Sequence, residues 1–273
     1  MTIYKEFYGF QESPFSVTSD PSFLFFSRHH KEAYSHLLYG IKERKGFLQI
    51  TGEIGTGKTT LCRALLDALD QNTKSAFILN PNLSALQLLK AIVTDLGVAT
   101  KSRTRMELTS DLNHFLMEQL SQDRNVVVII DESQNLSPDV LEQIRMLSNL
   151  ETRKEKLIQI ALVGQPELRQ KLENPSLSQL KQRIGVRYHI LPLEKDETGP
   201  YIRHRLHVAG SDGKIVFPPK TLERIYQHSK GVPRLINAIC DKILLAGYVY
   251  ETCEMTPEMT QRAVEELENR SFS

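Results

Sequence analysis

The stretch that decides the fold is "TGEIGTGKTT", residues 51–60, in which three glycines within six positions precede Lys58 and two threonines. An apolar run, "FLQIT" (47–51), comes before it, and "KTTLCRALLDALD" (58–70) follows with apolar residues at helical spacing. Glycine lowers helix propensity, but it lets successive backbone N–H groups converge on one point. Together with the positive end of the following helix, these groups predict an anion-binding loop between a strand and a helix.

The loop fits the pattern G-x-x-x-x-G-K-[ST], which holds the phosphates of a nucleoside triphosphate. Lys58 would reach the β- and γ-phosphates, and the Thr59 hydroxyl would bind Mg²⁺. The residues expected to contact the nucleotide from this stretch are Gly52, Glu53, Ile54, Gly55, Thr56, Gly57, Lys58, Thr59 and Thr60.

A second motif ends the clearest strand of the chain, "NVVVIIDE" (125–132), which is β-branched and apolar, as a central parallel strand should be. Asp131, at the carboxyl end of that strand, would face the same crevice as the glycine loop and hold Mg²⁺ through water. Glu132 would polarise the attacking water. The two motifs together predict a site that binds and hydrolyses a nucleoside triphosphate.

Strand and helix patterns alternate up to about residue 193. Three more strands are predicted at "SAFIL" (75–79), "KLIQIALVG" (156–164) and "GVRYHILPL" (185–193), and one of the helices begins after Ser137 as its N-cap. The alternation predicts an α/β fold with a five-stranded parallel sheet covered on both faces. Only helical patterns follow. We therefore expect an N-terminal segment (1–45) packed on the core, a core over 46–193 and a helical lid domain over 194–273.

Further polar residues stand where a nucleotide site would use them. Gln165 follows the fourth strand and would sense the γ-phosphate, unless it only forms the turn before a proline. Arg183, with Arg187 as the alternative, would project into the site of a neighbouring subunit. Arg234 begins a helix of the second domain and would reach back to the γ-phosphate. The open alternative for each arginine is a solvated position on a helix.

Composition narrows the class of protein. The chain of 273 residues has 34 basic and 33 acidic side chains, so a net charge of +1 gives no electrostatic case for a dedicated nucleic-acid binder. Three widely spaced cysteines without metal-ligand spacing fit reduced thiols in a reducing cytoplasm. No stretch approaches the ~20 apolar residues that span a bilayer. We expect a cytoplasmic protein without a membrane span, and peripheral binding at the inner membrane stays open.

In their order along the chain, these motifs resemble those of an AAA+ ATPase, a P-loop NTPase with a helical lid domain. Within that class the chain looks most like the general secretion pathway protein A (ExeA-type) family. The resemblance is carried by "YGFQESPFSVTSDPSFLFFSRHHKEAYSHLLYGI" at the start, by "GEIGTGKTTLCRALL", "VVVIIDESQNL" and "QLKQRIGVRYHILPL" in the middle, and by "GVPRLINAICDKILLAGY" near the end. The strand "SAFIL" between the loop and "DE" resembles the class of P-loop ATPases that has an additional strand.

The resemblance implies ATP or ADP with Mg²⁺, bound between the subunits of a ring or partial ring. It also implies a protein partner in a cell-envelope machine, of the type II secretion, pilus or exopolysaccharide type. An adenine pocket would be lined by Pro14, Phe15 and Tyr39. Longer relatives continue into a transmembrane helix and a peptidoglycan-binding domain, so we expect a short member or one part of a longer chain, without direct contact with the cell wall.

Two alternatives to an ATP-hydrolysing assembly protein stay open. One is a DNA-associated ATPase regulator of the transposition or origin-recognition type, against which the near-neutral charge argues. The other is a nucleotide-binding scaffold with negligible hydrolysis, against which an intact Glu132 argues.

Overall fold

The structure of this chain is a computed structural model that describes residues 3–79, 82–101 and 103–269. These residues form two compact units. The helical unit comprises the residues up to His30, Gly55–Thr60 and the residues from Leu191 onward. The sheet unit comprises Lys31–Ile54 and Leu61–Ile190. The domain bounds expected from the sequence, 1–45, 46–193 and 194–273, stay a prediction.

Within its described residues, the sheet unit contains one parallel sheet of five strands, which confirms the sequence prediction. The strands are β1 (Phe47–Gly52), β2 (Thr73–Ile78), β3 (Asn125–Ile130), β4 (Gln159–Gly164) and β5 (Ile184–Ile190). Their spatial order is β2-β3-β4-β1-β5. The strand that separates β1 from β3 is therefore β4, whereas the strand predicted at 75–79 lies at the sheet edge.

The central strands are buried on both faces, because helices cover the sheet. The helices that belong wholly or mostly to this unit are α2 (Arg28–Lys42), α3 (Lys58–Asp67), α4 (Ala85–Asp95), α5 (Arg105–Ser121), α6 (Pro138–Leu147), α7 (Pro166–Leu172) and α8 (Ser178–Arg183). Several of these helices begin at a residue whose side chain caps the helix N-terminus. Ser137 accepts the backbone N–H of Val140, which confirms it as the N-cap of α6, and Ser84 and Thr104 form capping boxes with Gln87 and Glu107.

The helical unit contains α1 (Lys5–Tyr8), α9 (Lys195–Val208), α10 (Pro219–Ser229), α11 (Pro233–Val249) and α12 (Pro257–Asn269). Its core joins aromatic residues from the first part of the chain to apolar residues of α9–α12. Tyr8 illustrates the connection, since its hydroxyl donates to the Leu244 carbonyl at 3.1 Å. The Gln11 N–H likewise donates to the Ala209 carbonyl at 2.9 Å. Residues far apart in sequence thus complete one hydrophobic core.

None of the helices in the described part of the chain combines the length and the apolar composition that crossing a bilayer requires.

Candidate functional site

The glycine loop has the backbone conformation that its motif predicts. Gly55 and Gly57 both lie in the left-handed region, with φ of 80° and 93°, and Thr56 stands between them. Alternation of this kind directs neighbouring N–H groups to one side and makes an anion-binding concavity. Lys58 is buried and begins α3, so the positive end of a helix directly follows the concavity.

Two groups of the helical unit hold the carbonyls on the other side of this loop. The Gly55 carbonyl accepts the backbone N–H of Arg234 at 3.2 Å. The Thr56 carbonyl accepts Nε2–H of His30 at 2.8 Å. A Cβ atom at Gly55 would lie 2.5 Å from Cβ of Arg234, so only glycine permits this approach. Arg234 therefore lies against the loop through its backbone and Cβ, and its reach to the γ-phosphate stays a prediction. The contact of His30 with the loop was not foreseen.

In the sheet unit, the carboxyl ends of three neighbouring parallel strands meet at one edge. Gly52 ends β1, Asp131 directly follows β3, and Gln165 directly follows β4. Asp131 is buried, and its Oδ1 accepts the N–H of Glu132 at 2.9 Å. Within the sheet unit, the predicted acidic residue and the predicted sensor residue thus stand at the same edge of the sheet as Gly52.

Glu132 adopts a left-handed backbone conformation with φ of 52°, which is uncommon for a residue with a side chain. Its Oε2 accepts Nε2–H of Gln165 at 3.2 Å and Nε2–H of Gln134. The Gln134 amide also accepts, through Oε1, the backbone N–H of Gln165 at 3.0 Å. The structure therefore connects Glu132 and Gln165, two residues predicted separately, both directly and through Gln134, which the sequence did not predict.

The surroundings of Gln134 leave room for this arrangement. A Cβ atom at Gly164 would lie 2.6 Å from Oε1 of Gln134, so the glycine that ends β4 permits the amide to enter. The Lys171 ammonium donates to the carbonyls of Gln134 and Leu136, the latter at 2.6 Å. The available sequence signal for Gln134 was a polar side chain two positions after Glu132.

Both arginines proposed to act on a neighbouring subunit have partners within the sheet unit. Arg183, the last residue of α8, donates to Oγ of Ser148 at 2.8 Å and to Oδ1 of Asn149 at 2.5 Å. Arg187 donates to the Lys181 carbonyl. Both side chains are on exposed residues. Their action on another subunit stays a prediction.

The residues expected at an adenine pocket are distributed over both units. Phe15 is buried in the core of the helical unit, and the Pro14 carbonyl accepts Nε–H of Arg205 at 2.6 Å. Tyr39 belongs to the sheet unit, where the Lys45 ammonium lies 5.3 Å from its ring centre. An adenine pocket made by these residues stays a prediction.

Comparison with known proteins identifies the family. A family model described as an AAA domain matches residues 41–172. General secretion pathway protein A of Aeromonas hydrophila is 46% identical over 247 residues, which cover 90% of this chain and 45% of that protein. The chain belongs to the AAA+ family, in the group of general secretion pathway protein A. This AAA+ chain thus spans less than half the length of that relative.

Solved structures show the same fold at lower identity. The ORC2 protein of Aeropyrum pernix matches this AAA+ chain with a TM-score of 0.72 and 19% identity, over 94% of this chain and 72% of that one. Cdc6p of Pyrobaculum aerophilum matches with a TM-score of 0.68 and 17% identity, over 93% and 70% of the two chains. At such identities the likeness concerns the fold, and it confirms the predicted P-loop NTPase fold with helices after the sheet.

Proposed function

We propose that this AAA+ chain binds ATP and ADP with Mg²⁺ and hydrolyses ATP to ADP and phosphate. The observation that carries the proposal is the left-handed pair Gly55 and Gly57 placed directly before Lys58 and the start of α3. This backbone presents N–H groups, a helix N-terminus and one ammonium group to an anion. The Aeropyrum pernix relative in fold was solved in ADPNP and ADP complexes, which is consistent with a nucleotide ligand.

The other residues have separate roles in the proposed reaction. Thr59 and Asp131 offer a hydroxyl and a carboxylate, the oxygen ligands that Mg²⁺ takes together with phosphates and water. Glu132 would accept a hydrogen bond from the attacking water and orient it. Gln165 and Arg234 would respond to the γ-phosphate. Arg183 would stabilise the negative charge that develops in a neighbouring subunit's site.

Bound Mg²⁺ would neutralise charge on the phosphate oxygens. The donor set fits that ion, because Asp131 is a buried carboxylate at a strand end and no soft ligand stands beside it in sequence.

We further propose that the chain assists assembly or operation of a cell-envelope export system as a ring or partial ring. Its similarity to general secretion pathway protein A supports this role. The partner would be a protein of the export machine, and the chain would act in the cytoplasm or at the inner face of the inner membrane. A net charge of +1 fits a protein partner better than nucleic acid.

The decisive experiment measures affinity for a fluorescent ATP analogue with Mg²⁺ in the wild-type chain and in Lys58→Ala. We expect Lys58→Ala to weaken binding at least about ten-fold, because it removes a charge-assisted contact to phosphate. Lys90→Ala, at an exposed position of α4, is the matched control and should bind as the wild type does. Wild-type affinity in Lys58→Ala would contradict the proposal. ATP-dependent, salt-sensitive DNA binding would favour the DNA-associated alternative instead.

A further inference from the structure

A buried histidine from the N-terminal part of the helical unit supports the glycine loop from behind. His30 is 3% exposed, and its Nε2 lies 2.8 Å from the carbonyl oxygen of Thr56, a residue that is fully buried. A Cβ atom at Gly57 would lie 3.2 Å from the same Nε2, so the ring also packs under the next glycine. The imidazole thus contacts two consecutive residues of the loop.

The chemistry of the loop explains why this contact matters. When the N–H groups of a loop converge on an anion, the carbonyls between them turn to the opposite side. A buried carbonyl needs a donor there, because it has lost its hydrogen bonds to water. Arg234 supplies its backbone N–H to Gly55, and His30 supplies Nε2–H to Thr56. The second of these donors is a side chain and can therefore be changed without altering the backbone.

The Thr56 carbonyl determines which tautomer of His30 is present, because a carbonyl oxygen can only accept a hydrogen bond. Nδ1 of His30 lies 2.6 Å from Oγ of Ser27. Because Nε2 carries the proton that Thr56 accepts, Nδ1 of the neutral ring accepts the Ser27 hydroxyl proton. Burial lowers the pKa of His30, which agrees with a neutral ring. Ser27 and His30 therefore form a short chain of hydrogen bonds that ends at the loop carbonyl.

We propose that His30 is a nucleotide-positioning residue, which holds the Thr56 carbonyl so that the loop keeps its phosphate-binding shape before the nucleotide arrives. This inference rests on the proposed nucleotide-binding function. It makes the segment before the sheet a part of the phosphate-binding machinery and assigns that role to one imidazole. His30 contacts no reacting group, so it affects binding rather than the chemical step.

The test compares two substitutions of similar size. His30→Gln keeps an N–H donor for the Thr56 carbonyl, whereas His30→Met fills the space without one. With fluorescent ADP and Mg²⁺ as the probe, we expect His30→Met to weaken affinity about ten-fold and His30→Gln to stay within about three-fold of the wild type. The kcat at saturating ATP should change less than about two-fold in either variant. The neighbouring His29→Gln is the control.

Thermal unfolding of the nucleotide-free chains separates this role from simple packing. If His30 only packs, nucleotide affinity should fall in proportion to the loss of thermal stability. Equal nucleotide affinities of His30→Met and the wild type would overturn the inference. Should His30→Met not fold, Ser27→Ala decides, because it keeps the imidazole but removes the hydroxyl that holds its Nδ1. Weaker binding by Ser27→Ala would support the inference, and wild-type affinity would overturn it. Absence of binding by the wild-type chain itself would overturn the proposed function as well.

Discussion

Several turns in the described part of the chain place residues in the left-handed region of backbone space, and two of them at the strand ends do so by different means. The glycine loop uses Gly55 and Gly57, which adopt positive φ without a steric penalty. The turn after β3 uses Glu132, whose φ of 52° costs about 1 kcal/mol because of its side chain. Gln134 and Gln165 offset that cost by donating to the carboxylate. The first turn is determined by local sequence, whereas the second also depends on Gln165, which lies 33 positions further along the chain.

The largest effect is expected when the turn after β3 is changed and the glycine loop is left intact, as in Glu132→Gln. The amide keeps the size of the side chain but cannot act as a base toward water, so we expect kcat to fall about 100-fold or more. Affinity for ATP should stay near that of the wild type, because the glycine loop is unchanged. Steady-state and single-turnover hydrolysis assays measure the first quantity, and equilibrium titration measures the second. Undiminished turnover would remove Glu132 from its proposed role.

The converse change is Gly55→Ala, which alters the loop and leaves the turn after β3 intact. The new methyl group would stand 2.5 Å from Cβ of Arg234, so loop and α11 could not keep their contact. We expect nucleotide affinity to fall by about ten-fold or more, since both φ and packing are disturbed. Gly9→Ala is the matched control, because Gly9 also has positive φ, of 70°, and no atom lies within 4 Å of the place that its new methyl group would take. Equal affinity losses in the two variants would show that the contact with Arg234 is unimportant.

A smaller effect is expected from Gln134→Ala, which removes one of the two connections between Glu132 and Gln165 and leaves their direct hydrogen bond. The carboxylate would lose one donor and the Gln165 N–H one acceptor, so kcat should fall about five- to ten-fold with unchanged ATP affinity. The double variant with Glu132→Gln tests the connection. We expect Gln134→Ala to have little further effect there, because residues that act as one unit are not additive. Full additivity of the two losses would argue against a shared role.

The smallest effect concerns pH, because the loop is supported by a titratable ring and the other turn by amides. Burial lowers the pKa of His30 in the folded chain below the ordinary value of 6.5, although Glu197 and the Thr56 carbonyl act in the opposite direction and His29 in the same one. Below pH 6.5 the unfolded chain therefore binds more protons at His30 than the folded chain does. The stability that the neutral His30 ring contributes is complete above pH 6.5 and is lost as the pH falls below that value.

Denaturant titrations at pH 7.5 and 5.5 check this sign. The free energy of unfolding should decrease toward pH 5.5 by up to about 1 kcal/mol more in the wild type than in His30→Gln. Burial also lowers the pKa of His204, but that residue is present in both chains and cancels in the comparison. The same pH dependence in both chains would show that His30 does not titrate in this range.

The two turns also show how far sequence leads. The five strands, the glycine loop, the position of Asp131 after β3 and the Ser137 cap follow from patterns within a few residues of one another. Local patterns do not predict the place of β4 between β1 and β3 or the hydrogen bond between Gln165 and Glu132. Each depends on residues that lie about thirty positions or more apart in the sequence.

His30 shows the same limit in another form. Its ring meets the Thr56 carbonyl across 26 positions, and a single buried histidine leaves no periodic pattern in a sequence. The site was therefore predictable where backbone geometry dictates the residue type, as at glycine, and not where a side chain reaches a distant carbonyl.

The shared core of the helical unit has a consequence for synthesis. Tyr4, Tyr8 and Phe23, which leave the ribosome early, pack with apolar residues of α11 and α12 that emerge roughly two hundred residues later. Until then these aromatic rings have no native neighbours from the last helices, and closing so long a loop slows folding. During synthesis these aromatic rings therefore stay without their native neighbours until α11 and α12 have been made.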